Sequence, residues 1–314
     1  MTDFTGKKIG LISLGCDKNR VDAEKLLAEI SARGCEITND INSAQVLIVN
    51  TCAFLEASRK EAIDTILECA EYKKSGALEK LVVTGCLPQK FIDDIFAELT
   101  EADVFLGTFD YDVFFDALEE AYEKGRANYV GRGKNCYTCG RVVTTPVHYA
   151  YLKIADGCNN KCTYCLIPKI RGNYFSYPIE KLTQEAAKLG DVAELLLVAQ
   201  DVTRYGIDIY GEKSLCRLLK SLSALENVGS IRLLYCYPEM IDDELIAELR
   251  DNPKIIKYLD IPLQHSEDRV LKMMNRRGTR SSYLALIERL RREVPGIVIR
   301  STFCLLYTSD AADD

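Results

Sequence analysis

A short, β-branched apolar run, then a cysteine, then a helical pattern occurs three times in the first third of the chain. Lys8-Ile9-Gly10-Leu11-Ile12-Ser13-Leu14-Gly15 leads to Cys16, Ala44-Gln45-Val46-Leu47-Ile48-Val49-Asn50-Thr51 to Cys52, and Glu79-Lys80-Leu81-Val82-Val83-Thr84-Gly85 to Cys86. Such runs, separated by amphipathic helical segments at 22–33 and 58–73, read as buried parallel strands of an α/β sheet. Residues 104–107 add another short strand and 111–123 another helix. In a parallel sheet all strands end on one edge, and ligands sit outside that edge. Cys16, Cys52 and Cys86 are therefore expected to converge, although 36 and 34 residues separate them.

A second α/β pattern begins after residue 147. Strands are expected at 148–154, 194–199, 231–236, 256–261 and 297–303, with helices at 178–189, 214–225, 242–250 and 281–294. Alternation of this kind points to a parallel β/α barrel, open or closed, with its site at the carboxyl ends of the strands. The stretch 125–145 is polar and glycine-rich, which marks a linker. The expected fold class is thus α/β: an N-terminal parallel α/β sheet domain over 7–124, a linker over 125–146, and a partial β/α barrel over 147–303. A length of 314 residues accommodates about two domains.

Net charge is −7, so the chain as a whole lacks the basic surface that non-specific nucleic-acid binding requires. The first eight residues are polar, and no apolar run approaches the roughly 18 residues of a membrane span. A cytoplasmic protein without a membrane partner is expected. Thirteen cysteines in a reducing compartment point to metal or redox chemistry rather than disulfides. His148 and His265 are the only histidines, which excludes histidine-rich metal sites.

The first strand of the second pattern runs into Ala155-Asp156-Gly157-Cys158-Asn159-Asn160-Lys161-Cys162-Thr163-Tyr164-Cys165. Three thiols at offsets of four and three can turn inward from one loop to hold three irons of a cubane cluster, leaving the fourth iron open. A structural zinc loop would want a fourth ligand, and none is evident. Cys16, Cys52 and Cys86 suggest a second three-thiol cluster. The competing reading, small buried hydrophobes at strand ends, requires the same coincidence in three successive units. Cys136 and Cys139 have the spacing of a zinc knuckle or redox pair, but no second pair lies nearby. Cys35, Cys69, Cys216 and Cys236 read as core thiols.

Cys158-x3-Cys162-x2-Cys165, with Tyr164 before the last cysteine, resembles the radical S-adenosylmethionine (SAM) signature. Together with Cys16, Cys52 and Cys86, residues 7–303 are similar to the methylthiotransferases. Ser13-Leu14-Gly15-Cys16-Asp17-Lys18-Asn19-Arg20-Val21-Asp22 resembles the RimO branch, which modifies an aspartate of small-subunit ribosomal protein twelve. The tRNA-modifying MiaB branch has a Tyr-Gly-Cys-Gln-Met-Asn type sequence there. Ile167-Pro168-Lys169-Ile170-Arg171-Gly172, Ala199-Gln200-Asp201-Val202-Thr203-Arg204-Tyr205-Gly206 and Tyr258-Leu259-Asp260-Ile261-Pro262-Leu263-Gln264-His265 also match the RimO-like pattern.

The resemblance implies two 4Fe-4S clusters, on Cys158, Cys162 and Cys165 and on Cys16, Cys52 and Cys86, and SAM as cofactor. On that reading, SAM cleavage yields a 5′-deoxyadenosyl radical that removes hydrogen from the aspartate β-carbon. The second cluster supplies the sulfur, and a second SAM methylates it. A flavodoxin- or ferredoxin-like electron donor and a sulfur donor are implied partners. Tyr164, Gln200, Asp201 and Gln264 are implied cofactor contacts. For Gln200 and Asp201 the competing reading is a helix-capping loop. His265 could reach adenosine or substrate, yet a lone histidine is more often structural. Arg276, Arg277 and Arg280 could bind a carboxylate or phosphate, or form a solvated charged run. The alternatives are a tRNA adenosine methylthiotransferase, with nucleic acid as partner, and a non-catalytic iron–sulfur protein.

Relatives continue from the fifth barrel strand into a Gly-Phe-Pro-Gly-Glu type turn, a sixth strand and a C-terminal β module. Here Cys304-Leu305-Leu306-Tyr307-Thr308-Ser309 and an acidic run follow, so residues 304–314 do not match the family. The expectation is a C-terminally truncated or chimeric chain with an incomplete barrel, an unpaired sheet edge, low stability and weak or no activity.

Overall fold

A computed structural model describes residues 3–134 and 140–304; Cys136, Cys139 and all of the tail except Cys304 lie outside them. The chain divides into two compact units between residues 144 and 145.

The first unit is built on six strands: β1 (Lys8–Ser13), β2 (Glu36–Thr38), β3 (Val46–Thr51), β4 (Lys80–Gly85), β5 (Val104–Phe105) and β6 (Ala127–Asn128). They form one sheet in the order β2-β1-β3-β4-β5-β6, with every pairing parallel. Helices Asp17–Ala32, Glu56–Ala70, Cys86–Glu98 and Phe114–Lys124 connect them. All six residues of β3 are buried, which explains why it reads as a continuous apolar run rather than an alternating one. On one face, Ile9, Val46, Ile48, Val82 and Val104 form a core with Leu26, Ile30, Phe114 and Leu118.

Two expectations are corrected here. The first helix starts at Asp17 rather than 22, because Asp17-Lys18-Asn19-Arg20 is polar and hides the helical period. The expected linker is also, up to residue 144, part of the first unit. β6 pairs with β5, and Arg141 and Thr144 close on Glu24. Arg141 Nε donates to the Glu24 carboxylate at 3.1 Å, and the Thr144 N–H and hydroxyl donate to it at 2.7 and 2.8 Å. Glu24 is fully buried, and a buried carboxylate is tolerable only with such partners.

The second unit contains β7 (Tyr149–Lys153), β8 (Ala155–Asp156), β9 (Phe175–Ser176), β10 (Val192–Val198), β11 (Val228–Leu233), β12 (Ile255–Asp260) and β13 (Val298–Arg300). Five of these make a parallel sheet in the order β13-β12-β11-β10-β7. Helices Ile179–Ala187, Leu215–Ser223, Asp243–Asp251 and Arg280–Glu293 lie between them in sequence. Strands in chain order with intervening helices make an open, partial β/α barrel, whose edges among the described residues are β7 and β13. The antiparallel pair β8-β9 is new: after Lys153 the chain leaves the main sheet and lays Ala155 against Ser176. Among the described residues no helix is long and apolar enough to cross a membrane.

Candidate functional site

In the first unit, β1, β3 and β4 are adjacent, with Ser13 beside Asn50 and Thr51 beside Gly85. Cys16, Cys52 and Cys86 therefore follow three neighbouring strands on the same edge, as the spacing predicts. Cys16 is the N-cap of helix Asp17–Ala32, and Cys86 opens helix Cys86–Glu98. Helix N-termini favour negative charge, including thiolates. The tight turn into the second helix needs Gly85: its φ is +98°, and a Cβ there would lie 2.6 Å from the Thr51 carbonyl oxygen.

One buried side chain joins two of these thiols. Asn19 Nδ2 donates to the Thr51 carbonyl at 3.0 Å and to Cys86 Sγ at 3.6 Å. Its Oδ1 lies 3.8 Å from Cys86 Sγ and 4.0 Å from Cys16 Sγ. Nothing in its type or spacing singled Asn19 out. Its position within the first helical turn after Cys16 was the available signal.

In the second unit, the three-cysteine loop springs from a buried ionic triad. Asp156 accepts from Lys153 Nζ and Arg171 Nη1, both at 2.7 Å, and from the Gly157 N–H at 2.9 Å. Burial pushes the Asp156 carboxyl up, but Arg171 and Lys153 outweigh it and bring it down to about 2. Gly157 has φ +70°, and a Cβ there would lie 2.1 Å from the Asn173 carbonyl oxygen. The loop is then pinned from both sides. Asn160 Nδ2 donates to Asp201 at 3.1 Å, Thr163 N–H to Met274 O at 3.2 Å, and Asn275 Nδ2 to Lys161 O at 2.9 Å.

Cys162 Sγ is within hydrogen-bonding distance of the Tyr237 hydroxyl, at 3.4 Å. Arg276 stacks 3.9 Å from the Tyr237 ring centre, with Nη1 4.0 Å from Cys162 Sγ. Burial pushes the Cys158 thiol up to about 11 and raises Cys165 as well. Burial and the neighbouring Cys162 also raise the Tyr164 phenol. Such thiols stay protonated at neutral pH until a metal displaces the proton. Among the described residues no three His, Cys, Asp or Glu side chains are grouped as ligands of one ion. A cubane cluster makes a different demand, because each cysteine binds a separate iron, and three thiols from one loop with no fourth fit it.

The remaining expected residues separate into two kinds. The Gln200 amide has both polar atoms buried and without a partner, as are Arg204 Nε, Asp260 Oδ1 and Arg276 Nε. Buried polar groups left unsatisfied in this way are what a polar ligand would complete. Asp201 makes the contacts of a capping residue. It is fully buried, caps the short turn Val202–Arg204, and holds the Thr203 hydroxyl at 2.5 Å and Asn160. The capping reading describes its geometry, and Asn160 ties it directly to the three-cysteine loop. Burial raises its carboxyl.

Gln264 has φ +75°, and its backbone bonds Thr302 and Cys304. His265 Nδ1 accepts the Glu267 N–H at 3.0 Å, a structural role. Arg276 is buried, whereas Arg277 and Arg280 are exposed, so the three arginines do not act as one cluster. Among the described residues, the non-glycine residues with positive φ are Lys161, Tyr235, Gln264 and Asn275, all in this unit's loops. Left-handed backbone at non-glycine residues gathers at functional sites.

Comparison with known proteins agrees with this geometry. Residues 8–107 match the model of Uncharacterized protein family UPF0004, and residues 152–310 match that of the Radical SAM superfamily. The protein named ribosomal protein uS12 methylthiotransferase RimO from Lachnoclostridium phytofermentans is 47% identical over 315 residues, covering 98% of this chain and 71% of that relative. Its namesake from Clostridium tetani is 48% identical, covering 99% and 70%. The cobalamin-dependent SAM radical enzyme OxsB shares the fold, with a TM-score of 0.61 at 10% identity over 95% of this chain and 49% of its own. Sequence, fold and the three-cysteine loop coincide, and the chain belongs to the RimO family of radical SAM methylthiotransferases, which use SAM and an iron–sulfur cluster.

Proposed function

We propose that the protein adds a methylthio group to the β-carbon of an aspartate in ribosomal protein uS12, using two 4Fe-4S clusters and SAM. The observation that carries the reading is the presence of two three-thiol constellations, each at the carboxyl edge of its own parallel sheet. Cys158, Cys162 and Cys165 each hold one iron of the first cluster; Cys16, Cys52 and Cys86 hold the second. When bound, these groups supply one-electron cleavage of SAM to a carbon-centred radical and the sulfur that is transferred.

The chain's own residues prepare each site. The Asp156 triad fixes the strand from which the loop departs, and Asp201, through Asn160, fixes the middle of the loop. Gln200 offers an amide that gains a partner only when a polar ligand arrives, and we assign it to the amino acid part of SAM. Tyr164 and Gln264 are assigned to the same cofactor pocket. Cys158 and Cys165 are half-buried, and their partial burial raises both thiols. A cytoplasmic setting, a flavodoxin- or ferredoxin-like electron donor and a separate sulfur donor complete the proposal.

The test is anaerobic reconstitution with iron and sulfide, followed by SAM, reductant and uS12, with mass analysis of the target aspartate. Alanine at Cys158, Cys162 or Cys165 should abolish SAM cleavage. Alanine at Cys16, Cys52 or Cys86 should spare some cleavage and end methylthio transfer. Methylthio transfer that survives the second set sinks the sulfur-donor assignment.

A further inference from the structure

We propose that Asn19 is the positioning residue of the three-thiol site in the first unit. Its carboxamide donates an N–H···S hydrogen bond to Cys86 Sγ and so sets the electron affinity of the cluster held there. This rests on the reading of Cys16, Cys52 and Cys86 as iron ligands.

The orientation of the amide follows from its neighbours. The Thr51 carbonyl can only accept, so the atom 3.0 Å from it is Nδ2, and that same nitrogen is 3.6 Å from Cys86 Sγ. While the thiols are protonated they donate to Oδ1, at 3.8 Å from Cys86 and 4.0 Å from Cys16. Coordination removes those protons and leaves thiolates, which only accept. Of the two amide ends, Nδ2 alone can then serve a sulfur.

The fold spends several residues on keeping this amide in place. Asn19 is fully buried, so bulk water does not compete for its donor. Asn50, also fully buried, donates from Nδ2 to the Asn19 carbonyl at 2.9 Å and holds the first turn of the helix. A Cβ at Gly15 would lie 2.4 Å from Asn19 Cβ and 2.7 Å from its Nδ2. The residue before Cys16 must therefore be glycine for Asn19 to lie across it. Hydrogen bonds to cluster sulfurs draw electron density from the thiolate and raise the reduction potential. Loss of the Asn19 donor should make reduction harder.

The experiment uses the full chain with Cys158, Cys162 and Cys165 changed to alanine, so that only the first site is loaded with iron and sulfide. Asn19→Leu keeps the volume without a donor, and Asn19→Asp keeps the shape with an acceptor in its place. Both should load as the parent does and shift the midpoint potential to more negative values. The expected shift is about tenfold in the reduction equilibrium, about 59 mV for one electron. In the parent grown with asparagine carrying heavy nitrogen, pulsed electron paramagnetic resonance of the reduced cluster should show coupling to that nitrogen. Unchanged potentials in loaded variants, or no nitrogen coupling in the parent, overturn the inference, and the parent coupling decides it should either variant fail to load. Failure of the parent to take up iron and sulfide overturns the ligand reading itself.

Discussion

Asp156→Asn preserves the shape of the side chain at the base of the three-cysteine loop and removes only its charge. In the native protein the carboxylate is fully buried and lies 2.7 Å from both Lys153 Nζ and Arg171 Nη1. Its carboxyl is held at about 2 against an ordinary 3.8, because Arg171 and Lys153 outweigh the cost of burial. That difference corresponds to about 2–3 kcal/mol. Since the folded value is the lower one, this stability is full above the ordinary value and is lost as pH falls through about 2. At pH 7 the asparagine forfeits it and leaves two buried cations without that counter-charge. Removing one partner of a buried ion pair costs about 3–5 kcal/mol. Urea unfolding at pH 7 should show a loss of that size with an unchanged m-value. Lys153→Met added to Asp156→Asn should recover part of it, because one stranded cation is gone. A loss below about 1 kcal/mol, or no recovery in the double variant, refutes the triad as the anchor of the loop.

Gln200→Leu removes a buried amide that has no partner, so thermal unfolding should show unchanged or higher stability, by about 1–2 kcal/mol. The same change should weaken SAM binding at least about tenfold by titration calorimetry, the equivalent of one hydrogen-bonding contact of about 1.4 kcal/mol; destabilisation with unaltered affinity would contradict the assignment. Gly157→Ala forces a side chain into φ +70° and against the Asn173 carbonyl. It should cost about 1–3 kcal/mol and slow iron uptake, followed by melting temperature and visible absorbance. Arg141→Ala strips the buried Glu24 of its cation and should cost about 3–5 kcal/mol, with limited proteolysis revealing new cleavage between 140 and 144.

The alternation of apolar runs and amphipathic segments located β1, β3, β4 and β5 of the first sheet and all five strands of the second. β5 and β13 are only two and three residues long but lie in longer apolar runs that the reading picked up. β2, β6, β8 and β9 are as short, lie in no such run, and carry no period of their own. They exist because a neighbouring strand offers a free edge. The polar first turn of helix Asp17–Ala32 was hidden for a related reason: its side chains answer to the site, not to the core. Asp201 shows the limit from another side. Its place after β10 was readable, but whether its carboxylate met a cofactor or capped a turn depended on Thr203 and Asn160 arriving beside it.

The amino-acid sequence by itself determined the two parallel α/β patterns and the sheet edge at which Cys16, Cys52 and Cys86 follow neighbouring strands. Both follow from local period and from the rule that parallel strands end together. Only the tertiary structure decided what surrounds the thiols. Asn19 between Cys86 and Cys16, Tyr237 and Arg276 on Cys162, and Lys153 and Arg171 closing on Asp156 are contacts between separate elements of their own units. They arise when strand ends and loops are brought to one edge. Polar residues reveal their role only through partners, and no local pattern in the chain records which partners those will be.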